Sequence, residues 1–396
     1  MQRLPNRILL SVPHMGGTEF RYVQDAFDTN WLSTVGPNLI ELEKTFQSLV
    51  GGSSVALSSG TAGLHLALRA SGVSPGDEVV AQSLTFVAST NPILQEHARP
   101  VLIDSDRATW NIDPNLLFEF LSRRARVNRL PKAVMVVHLF GQPASIDDLL
   151  GICDTYEIPL IEDAAESLGS RYRGKHPGTF GRIGVYSFNG NKMITGTTGG
   201  MLVTKDAALA TRIRHWSTQA RDPDPSGICN YIHTESGYNY RMSNVIAGIV
   251  RGQLEVLPQR VSQRRAIFER YRQSLADIPG FEPQPDLPVA TAGPPLAPVA
   301  GNATFHSRWL SCFLVDEEQF GMSAPDLIRY LDRVNIESRP VWRPMHLQPL
   351  FADAERIGGE VAEDLNKRGI CLPSSSSLTE TQQQFVIDAV RAAHRA

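Results

Sequence analysis

The chain has 396 residues, of which 42% are hydrophobic and 20% are charged, and its formal net charge is −3 at pH 7. That length is sufficient for two domains, and the composition is ordinary for a globular enzyme. The slightly negative charge argues against a nucleic-acid-binding surface and against a polybasic membrane anchor.

Cysteine spacing and hydropathy exclude further classes of protein. The four cysteines, at positions 153, 229, 312 and 371, form neither a CxxC metal pair nor a disulfide pattern, so we expect no metal site. The start of the chain lacks a signal-peptide core, and no apolar run approaches the ~18 residues that a membrane span requires. These features predict a cytoplasmic protein.

The first 50 residues are predicted to form an arm that begins the larger domain. Apolar spacing predicts helices at Glu19–Thr29 and Leu39–Val50, and it places Phe20 and Phe27 on one stripe of the first helix. A polar loop that contains Trp31 joins the two helices. The arm either only packs on the main domain or also helps to close a ligand site.

Residues 55–163 alternate short apolar strands with helices. We predict strands at Val55–Ser58, Asp77–Ala81, Pro100–Ile103, Ala133–Leu139 and Ile158–Ile161. We predict helices at Leu64–Ser71, Val87–Gln95, Leu116–Arg126 and Asp147–Tyr156. The alternation predicts an α/β fold with a mainly parallel sheet flanked by helices. Ligands in such sheets bind beyond the carboxyl ends of the strands.

Polar and aromatic residues lie at or just past the predicted strand ends, namely Thr61, Phe86, His138 and Asp163. The turn SSGTAG precedes a helix N-terminus, so it is either an anion site or a helix cap. Phe86 either packs in the core or stacks on a flat ring. Asp163 either caps a helix or holds a cationic ring nitrogen. Their convergence at one edge of the sheet predicts a ligand site there.

Lys192 lies in a short polar turn, Asn189-Gly190-Asn191, between predicted strands at Gly184–Phe188 and Met201–Thr204. Its flanks are apolar, so we expect the amine to be partly desolvated, which favours the neutral, nucleophilic form. Lys192 is either the lysine that carries an aldehyde cofactor as a Schiff base or an ordinary turn lysine.

The rest of the chain predicts a second, smaller α+β domain. The turn GYNYRM ahead of a helix at Ser243–Leu257 suits a subunit contact or a local cap. Residues 283–298 contain six prolines and are predicted to be a surface loop. Strands are predicted at Trp309–Val315 and Ile336–Arg339, and helices at Ala324–Val334, Glu360–Arg368 and Glu380–Ala393. We therefore divide the chain into a large domain, residues 1–257, and a small domain, residues 258–396.

Together these residues fit the needs of pyridoxal phosphate chemistry. That cofactor needs a lysine for its aldehyde, an anion pocket for its phosphate, an acid near its ring nitrogen and a flat group over its ring. The chain offers these groups as Lys192, the Gly60-Thr61-Ala62 turn, Asp163 and Phe86. Ser187, five residues before Lys192, suits a further phosphate contact.

Seven segments carry a resemblance to a known family: ALSSGTAGLHLAL, DEVVAQSLTFVAS, VHLFGQP, IEDAAESLGS, GTFGRIGVYSFNGNKMIT, GYNYRMSN and SRPVWRPMHLQP. From VPHMGG to CLPSSSSL the chain resembles the DegT/DnrJ/StrS sugar aminotransferases. The resemblance implies fold type I of the pyridoxal phosphate enzymes and a homodimer with shared active sites. The form SFNGNK is most similar to the branch acting on UDP-linked 4-keto-6-deoxy-N-acetyl-hexosamines.

The resemblance also implies roles for single residues. Lys192 would carry the cofactor and move protons, and Asp163 would pair with the pyridine nitrogen. The other implied cofactor contacts are Gly60, Thr61 and Ser187 at the phosphate, Phe86 on the ring and Glu166 near the ring oxygen. Asn239 would reach the phosphate of the partner subunit's cofactor. Trp31, with its loop to Pro37, and His346 are candidates for binding the nucleotide sugar.

The expected reaction moves an amino group from L-glutamate to the C4 ketone of a nucleotide-linked 4-keto-6-deoxy sugar, in glycan biosynthesis. The chain departs from the family pattern at Thr198, at Glu166, in the Ser374–Ser377 run and in the proline-rich loop. These departures leave open whether the nucleotide is UDP, GDP or dTDP. Another pyridoxal phosphate enzyme, such as a lyase, and a non-catalytic regulator that binds the cofactor remain as alternatives.

Overall fold

The computed structural model describes residues 4–228, 230–287 and 304–394. Its strands, in chain order, are β1 (Ser53–Leu57), β2 (Glu78–Gln82), β3 (Arg99–Ile103), β4 (Ala133–Val137), β5 (Leu160–Asp163), β6 (Ile183–Ser187), β7 (Gly200–Thr204), β8 (Phe281–Pro283), β9 (Ser311–Val315), β10 (Arg339–Pro340), β11 (Glu355–Ile357) and β12 (Gly369–Leu372). Its helices are α1 (Glu19–Asp28), α2 (Pro37–Val50), α3 (Gly60–Ala70), α4 (Asn91–Gln95), α5 (Pro114–Ala125), α6 (Ile146–Thr155), α7 (Ala207–Ser217), α8 (Asn244–Glu255), α9 (Leu257–Ser274), α10 (Glu317–Phe320), α11 (Ala324–Arg333), α12 (Glu360–Arg368) and α13 (Glu380–His394).

Most of these strands belong to one large sheet, whose order is β1-β7-β6-β5-β4-β2-β3-β11. β7 runs antiparallel to both of its neighbours, whereas the remaining pairs are parallel. Every residue of β4 is buried, as expected for a strand that is covered by helices on both faces. The predicted mainly parallel α/β sheet is therefore confirmed, and the strand ends gather polar residues at one edge.

A second, antiparallel sheet has the order β10-β12-β9-β8 and lies in the C-terminal part of the chain. The C-terminal part also supplies β11, which pairs in parallel with β3 of the large sheet. The division of the chain at residue 257 stays a prediction. Most of the proline-rich segment, residues 288–298, lies outside the described residues.

A buried carboxylate attaches the C-terminal part to the large sheet. Asp104, just past the end of β3, accepts backbone hydrogen bonds from Gly359 at 2.7 Å, Val361 at 3.0 Å and Ala362 at 2.8 Å. Gly359 precedes α12 directly, and Val361 and Ala362 lie in its first turn, where no helical carbonyl can accept their N–H groups. Asp104 thus acts as a helix cap supplied from a distant strand.

Local structure differs from the sequence prediction in several places. The turn predicted at Ser59–Gly63 is the start of α3, because the Ser59 hydroxyl accepts from the N–H of Ala62 at 3.0 Å and caps the helix at Gly60. The helix predicted at Val87–Gln95 is instead a 3₁₀ turn followed by α4. Pro92 lies in the first turn of α4, and a proline disfavours helical geometry in the residue before it.

None of the helices among the described residues is long and apolar enough to cross a membrane. Likewise, the described part of the chain contains no group of three or more His, Cys, Asp or Glu side chains that is placed to hold a metal ion.

Candidate active site

A cavity of about 320 Å³ opens at the carboxyl ends of β1, β2, β4, β5 and β6. Its lining includes Gly60, Thr61, Phe86, Ser89, Asp163, Glu166, Ser187, Lys192, Trp309 and Trp342. Most of the residues predicted to hold the cofactor therefore meet in one place. The two tryptophans come from the C-terminal part of the chain, so both parts build the wall of the cavity.

One end of the cavity is the first turn of α3, which contains no acidic residue. Gly60 and Thr61 line the cavity there, and Ser187 faces them from the end of β6. A Cβ atom on Gly60 would lie 3.1 Å from Cβ of Ser187, so the glycine keeps this corner open. A helix N-terminus beside two hydroxyl groups suits a phosphate. Ala62, also predicted to bind the phosphate, does not line the cavity, and its N–H is bonded to the Ser59 cap.

Asp163 forms a second part of the cavity wall and is only 3% exposed. One carboxylate oxygen accepts from the Ser89 hydroxyl at 2.7 Å, and the other accepts from the N–H of Ala165 at 3.0 Å. Burial raises the pKa of Asp163, although these hydrogen bonds oppose the shift. No helix begins after Asp163, because residues 164–170 form turns, so the alternative of a helix cap is wrong. A buried carboxylate without an ion pair among the described side chains suits a cationic ring nitrogen.

The side chain of Lys192 is 13% exposed, and its amine lies close to Glu166 and Trp309. Its Nζ atom lies 3.3 Å from Oε1 of Glu166 and 4.0 Å from the centroid of a Trp309 ring. The second oxygen of Glu166 accepts from the N–H of Phe140 at 2.7 Å. Burial raises the pKa of Glu166, and the nearby Lys192 counteracts part of that shift. Lys192 is therefore partly withdrawn from water, as we expected from its apolar flanks.

Aromatic rings close another side of the cavity. Phe86 is half exposed, and its ring centroid lies 5.1 Å from that of Trp342. Phe140 stacks on Trp342 at 6.0 Å and on Trp309 at 6.3 Å. Phe86 is therefore not a core residue, and its role of covering a flat ring stays a prediction. Sequence reasoning missed both tryptophans, although Trp342 lies within SRPVWRPMHLQP, where it could have been singled out.

His138 does not belong to the ligand-facing set that we predicted. Its side chain is fully buried, and its Nε2 atom lies 3.0 Å from Glu162 Oε2. Burial alone would raise the pKa of Glu162, but His138 and the N–H groups of Gly178 and Gly181 lower it overall. Glu162 and Asp163 are neighbours in β5, so their side chains leave opposite faces of the strand. His138 therefore supports the core side of the strand, whereas Asp163 faces the cavity.

Three further predicted site residues lie outside this cavity. The carbonyl of Trp31 accepts from Asn244 Nδ2 at 3.0 Å, and Asn239 is exposed. His346 has both ring nitrogens engaged, with Nδ1 2.6 Å from Ser83 Oγ and Nε2 3.0 Å from Glu363 Oε1. These contacts give His346 a structural role in the chain, and its role toward a nucleotide sugar stays a prediction.

The residues present fit pyridoxal phosphate. A buried lysine amine, a helix N-terminus with hydroxyls, a buried carboxylate and a half-exposed aromatic ring surround one cavity, and these are the groups that bind and activate that cofactor. Fold and site together define a pyridoxal phosphate-dependent transferase.

Comparison with known proteins narrows this class. Residues 13–391 match the sequence profile of the DegT/DnrJ/EryC1/StrS aminotransferase family, and the chain belongs to that family. It is 45% identical over 389 residues to EpsN of Bacillus subtilis, described as a pyridoxal phosphate-dependent aminotransferase, and the match covers 97% of this chain and 95% of EpsN. It is 37% identical over 393 residues to GDP-perosamine synthase of Caulobacter vibrioides, covering 98% of this chain and 99% of that relative.

Solved structures agree with this placement. The aminotransferase TlmJ from Streptoalloteichus hindustanus superposes with a TM-score of 0.86 and 30% identity, over 98% of this chain and 99% of TlmJ. The protein is therefore a sugar aminotransferase that uses pyridoxal phosphate, as the sequence predicted.

Proposed function

We propose that this enzyme transfers the amino group of L-glutamate to the C4 ketone of a UDP-linked 4-keto-6-deoxy-N-acetyl-hexosamine. The observation that carries the proposal is the placement of the Lys192 amine in one cavity with Asp163 and Ser187. The SFNGNK form around the lysine favours the UDP-linked substrate.

Each residue of the cavity would have a distinct task. When bound, pyridoxal phosphate supplies an electron sink next to the amino nitrogen that is transferred. The Lys192 amine would attach the aldehyde and afterwards move a proton to and from the reacting carbon. Asp163 would keep the ring nitrogen protonated, and the first turn of α3 would hold the phosphate together with Ser187. Phe86 would cover the ring face and limit its contact with water.

A GDP-linked sugar is the second candidate substrate. The relative from Caulobacter vibrioides is named GDP-perosamine synthase and matches this chain over nearly its whole length. That similarity supports a GDP-linked 4-keto-6-deoxy sugar, whereas the sequence around Lys192 supports a UDP-linked one. The transfer reaction and the residues that carry it are the same in both cases.

A two-stage experiment tests the proposal. In the first stage the holoenzyme is incubated with L-glutamate alone, and conversion of the cofactor to pyridoxamine phosphate is measured by mass. In the second stage UDP-, GDP- and dTDP-linked 4-keto-6-deoxy sugars are supplied, and the amino sugar products are measured. We expect conversion in the first stage and the largest turnover with the UDP-linked N-acetyl sugar. Absence of the glutamate half-reaction would overturn the choice of amino donor, and larger turnover with the GDP-linked sugar would replace the substrate.

We also infer that the active unit is a homodimer. α1, α2 and the loop between them expose large apolar side chains, namely Phe20, Phe27, Trp31, Leu32, Val35 and Ile40. Phe20 and Phe27, which we placed on the apolar stripe of α1, are 73% and 57% exposed, whereas Ala26 between them is buried, so only part of this stripe packs within the chain. Six large apolar side chains that are exposed within one segment of 21 residues are typical of a protein interface. A second copy covering it would explain why Asn239 lies outside the cavity of its own chain.

A further inference from the structure

Residues 8–14, called the arm from this point on, lie near the start of the larger N-terminal arm that the sequence predicts. They are attached along one side to a run of serines near the C-terminus. The carbonyl of Leu10 accepts from the N–H of Ser374 at 2.7 Å. The N–H of Val12 donates to the hydroxyl of Ser375 at 2.9 Å. Alternate residues of the arm therefore face the serine run, which leaves the residue between them free to face the opposite way.

The first three residues of the serine run, residues 374–376, form hydrogen bonds through their hydroxyl groups, which a glycine could not form. Ser376 Oγ lies 3.0 Å from Nδ1 of His14, and Ser374 Oγ accepts from the N–H of Ser311 at 2.8 Å. All three serines are buried. Buried hydroxyls that are paired in this way fix the arm against the C-terminal part of the chain, because breaking a pair leaves a buried polar group unsatisfied.

Ser11, between the two anchored arm residues, points at the lysine turn. Its hydroxyl donates to the carbonyl of Asn191, the residue before Lys192, at 2.8 Å. The same carbonyl accepts from Nε1 of Trp309 at 2.7 Å. One backbone oxygen of the lysine turn is thus held from two sides, by the arm and by the wall of the cavity.

Arg264 on α9 orients both of these partners. It donates to Ser11 Oγ at 3.0 Å and to the carbonyl of Trp309 at 2.5 Å, and its Nη2 atom lies 3.5 Å from the carbonyl of Lys192. A guanidinium only donates, so the hydroxyl of Ser11 must accept from Arg264 and direct its own proton to Asn191. The side chain of Arg264 is buried and forms no ion pair within the described residues. Its hydrogen bonds to neutral oxygens therefore make it part of the support of the lysine turn.

We propose that Ser11 is a positioning residue that holds the lysine turn so that the Lys192 amine is presented to the cofactor aldehyde. The serine run anchors the arm, and Arg264 sets the direction of the Ser11 hydroxyl. This inference rests on the proposed role of Lys192. It makes the reactivity of that amine depend on a hydrogen bond from a residue that does not line the same cavity.

Cofactor attachment to the cofactor-free protein tests the inference without measuring turnover. The neutral amine adds to the aldehyde carbon, water leaves, and borohydride then reduces the C=N bond to a stable C–N bond. The labelled peptide is quantified by mass at several times, with labelling of the exposed Lys44 as an internal reference. The variants are Ser11→Ala, Ser11→Thr and Ser375→Gly. Ser48→Ala is the control, because within the described part of the chain the Ser48 hydroxyl donates only to the carbonyl of Lys44 in α2.

We expect Ser11→Ala to lower the rate of labelling at Lys192 roughly five-fold, which corresponds to the loss of about one net hydrogen bond. Ser11→Thr keeps the hydroxyl and should restore most of the rate. Ser375→Gly should lower the rate in the same direction, while Ser48→Ala and labelling at Lys44 remain as in the wild type. Melting temperatures are recorded to separate this effect from unfolding.

Two results would overturn the inference. One is labelling of Lys192 in Ser11→Ala at the wild-type rate. The other is slow labelling that Ser11→Thr does not restore, since the hydroxyl would then not be the cause. Failure of the proposed function looks different, because the wild-type protein itself would carry the label on a residue other than Lys192.

Discussion

The amine of Lys192 lies 3.3 Å from a carboxylate oxygen of Glu166, and both side chains are largely withdrawn from solvent, at 13% and 4% exposure. An ionised Glu166 stabilises the charged form of Lys192, whereas attack on an aldehyde requires the neutral amine. Burial raises the pKa of Glu166, so this carboxyl holds its proton to higher pH than an exposed one. From this contact we expect the charge of Glu166 to affect the proposed reaction of Lys192 with the cofactor.

Replacing Glu166 with glutamine should shift the pH dependence of cofactor attachment toward lower pH. The substitution removes the negative charge that favours the ammonium form of Lys192 and keeps a similar shape. The rate of attachment to the cofactor-free protein, measured against pH, gives the comparison. Glu41→Gln is the control, because Glu41 is an exposed residue paired with Lys44 on α2. An unchanged profile in Glu166→Gln would show that the carboxylate does not control the amine.

Asp163→Asn should stabilise the cofactor-free protein at neutral pH while weakening cofactor retention. Burial raises the pKa of Asp163 in the folded state, so the unfolding free energy falls as pH rises from the unfolded pKa through the folded one. Asparagine does not ionise, so that loss should disappear. Urea unfolding at several pH values measures the first effect, and cofactor content after dialysis measures the second. A variant that is less stable than the wild type at neutral pH would show that ionisation of this buried carboxylate does not lower the stability of the cofactor-free protein.

Lys192→Ala should abolish covalent attachment of the cofactor. The cavity keeps its phosphate-binding corner and Asp163, so the cofactor can still enter without forming a bond to the protein. The expected result is loss of the visible absorbance of the Schiff base and of the borohydride-trapped adduct. If a yellow, reducible species survives in this variant, the assignment of Lys192 is wrong.

The parallel sheet and most of the cavity could be predicted because their signals are local. Short apolar strands that alternate with helices specify the sheet. Asp163 ends β5 and Lys192 lies five residues after the end of β6, and both strands are easily recognised. The sequence predicts a helix from Leu64, whereas α3 begins at Gly60, and the helix-cap alternative for this turn is confirmed because the Ser59 hydroxyl caps α3. The strands, the two site residues and the helix start can each be recognised from a few neighbouring residues of the sequence.

Contacts between distant segments could not be predicted in this way. Ser89 bonds to Asp163 across 74 residues, and nothing in its own neighbourhood singles it out. The short strand β11 joins the large sheet from the C-terminal part of the chain, and three residues are too few for a periodic signal. His138 comes directly after β4 and Asp163 ends β5, but His138 lies on the core side because packing decides which face each side chain takes.

Asp104→Ala should destabilise the protein by about 2 kcal/mol, at the upper end of the range for helix caps. Its carboxylate accepts three backbone hydrogen bonds from the start of α12, and alanine would leave these buried N–H groups unpaired. The free energy of urea unfolding measures the loss. Asp28→Ala is a suitable control, since Asp28 is exposed and its carboxylate, among the residues that the structure describes, accepts a hydrogen bond only from Gln24 on the same helix. A loss below about 0.5 kcal/mol would show that α12 is held mainly by its apolar contacts.

Mixing two inactive variants should restore activity if the dimer shares its active sites. Lys192→Ala lacks the reactive amine, and Asn239→Asp would place a negative charge at the phosphate of the partner's cofactor. In a hybrid dimer, the subunit with intact Lys192 receives an intact Asn239 from the other subunit, so one of the two sites is complete. Each variant is mixed with the other after dissociation in mild denaturant and reassembly, and turnover is compared with that of each variant treated alone. Recovery only in the mixture would support sharing. Full activity of Asn239→Asp on its own, or no recovery in a mixture that sediments as a dimer, would place the site within a single chain.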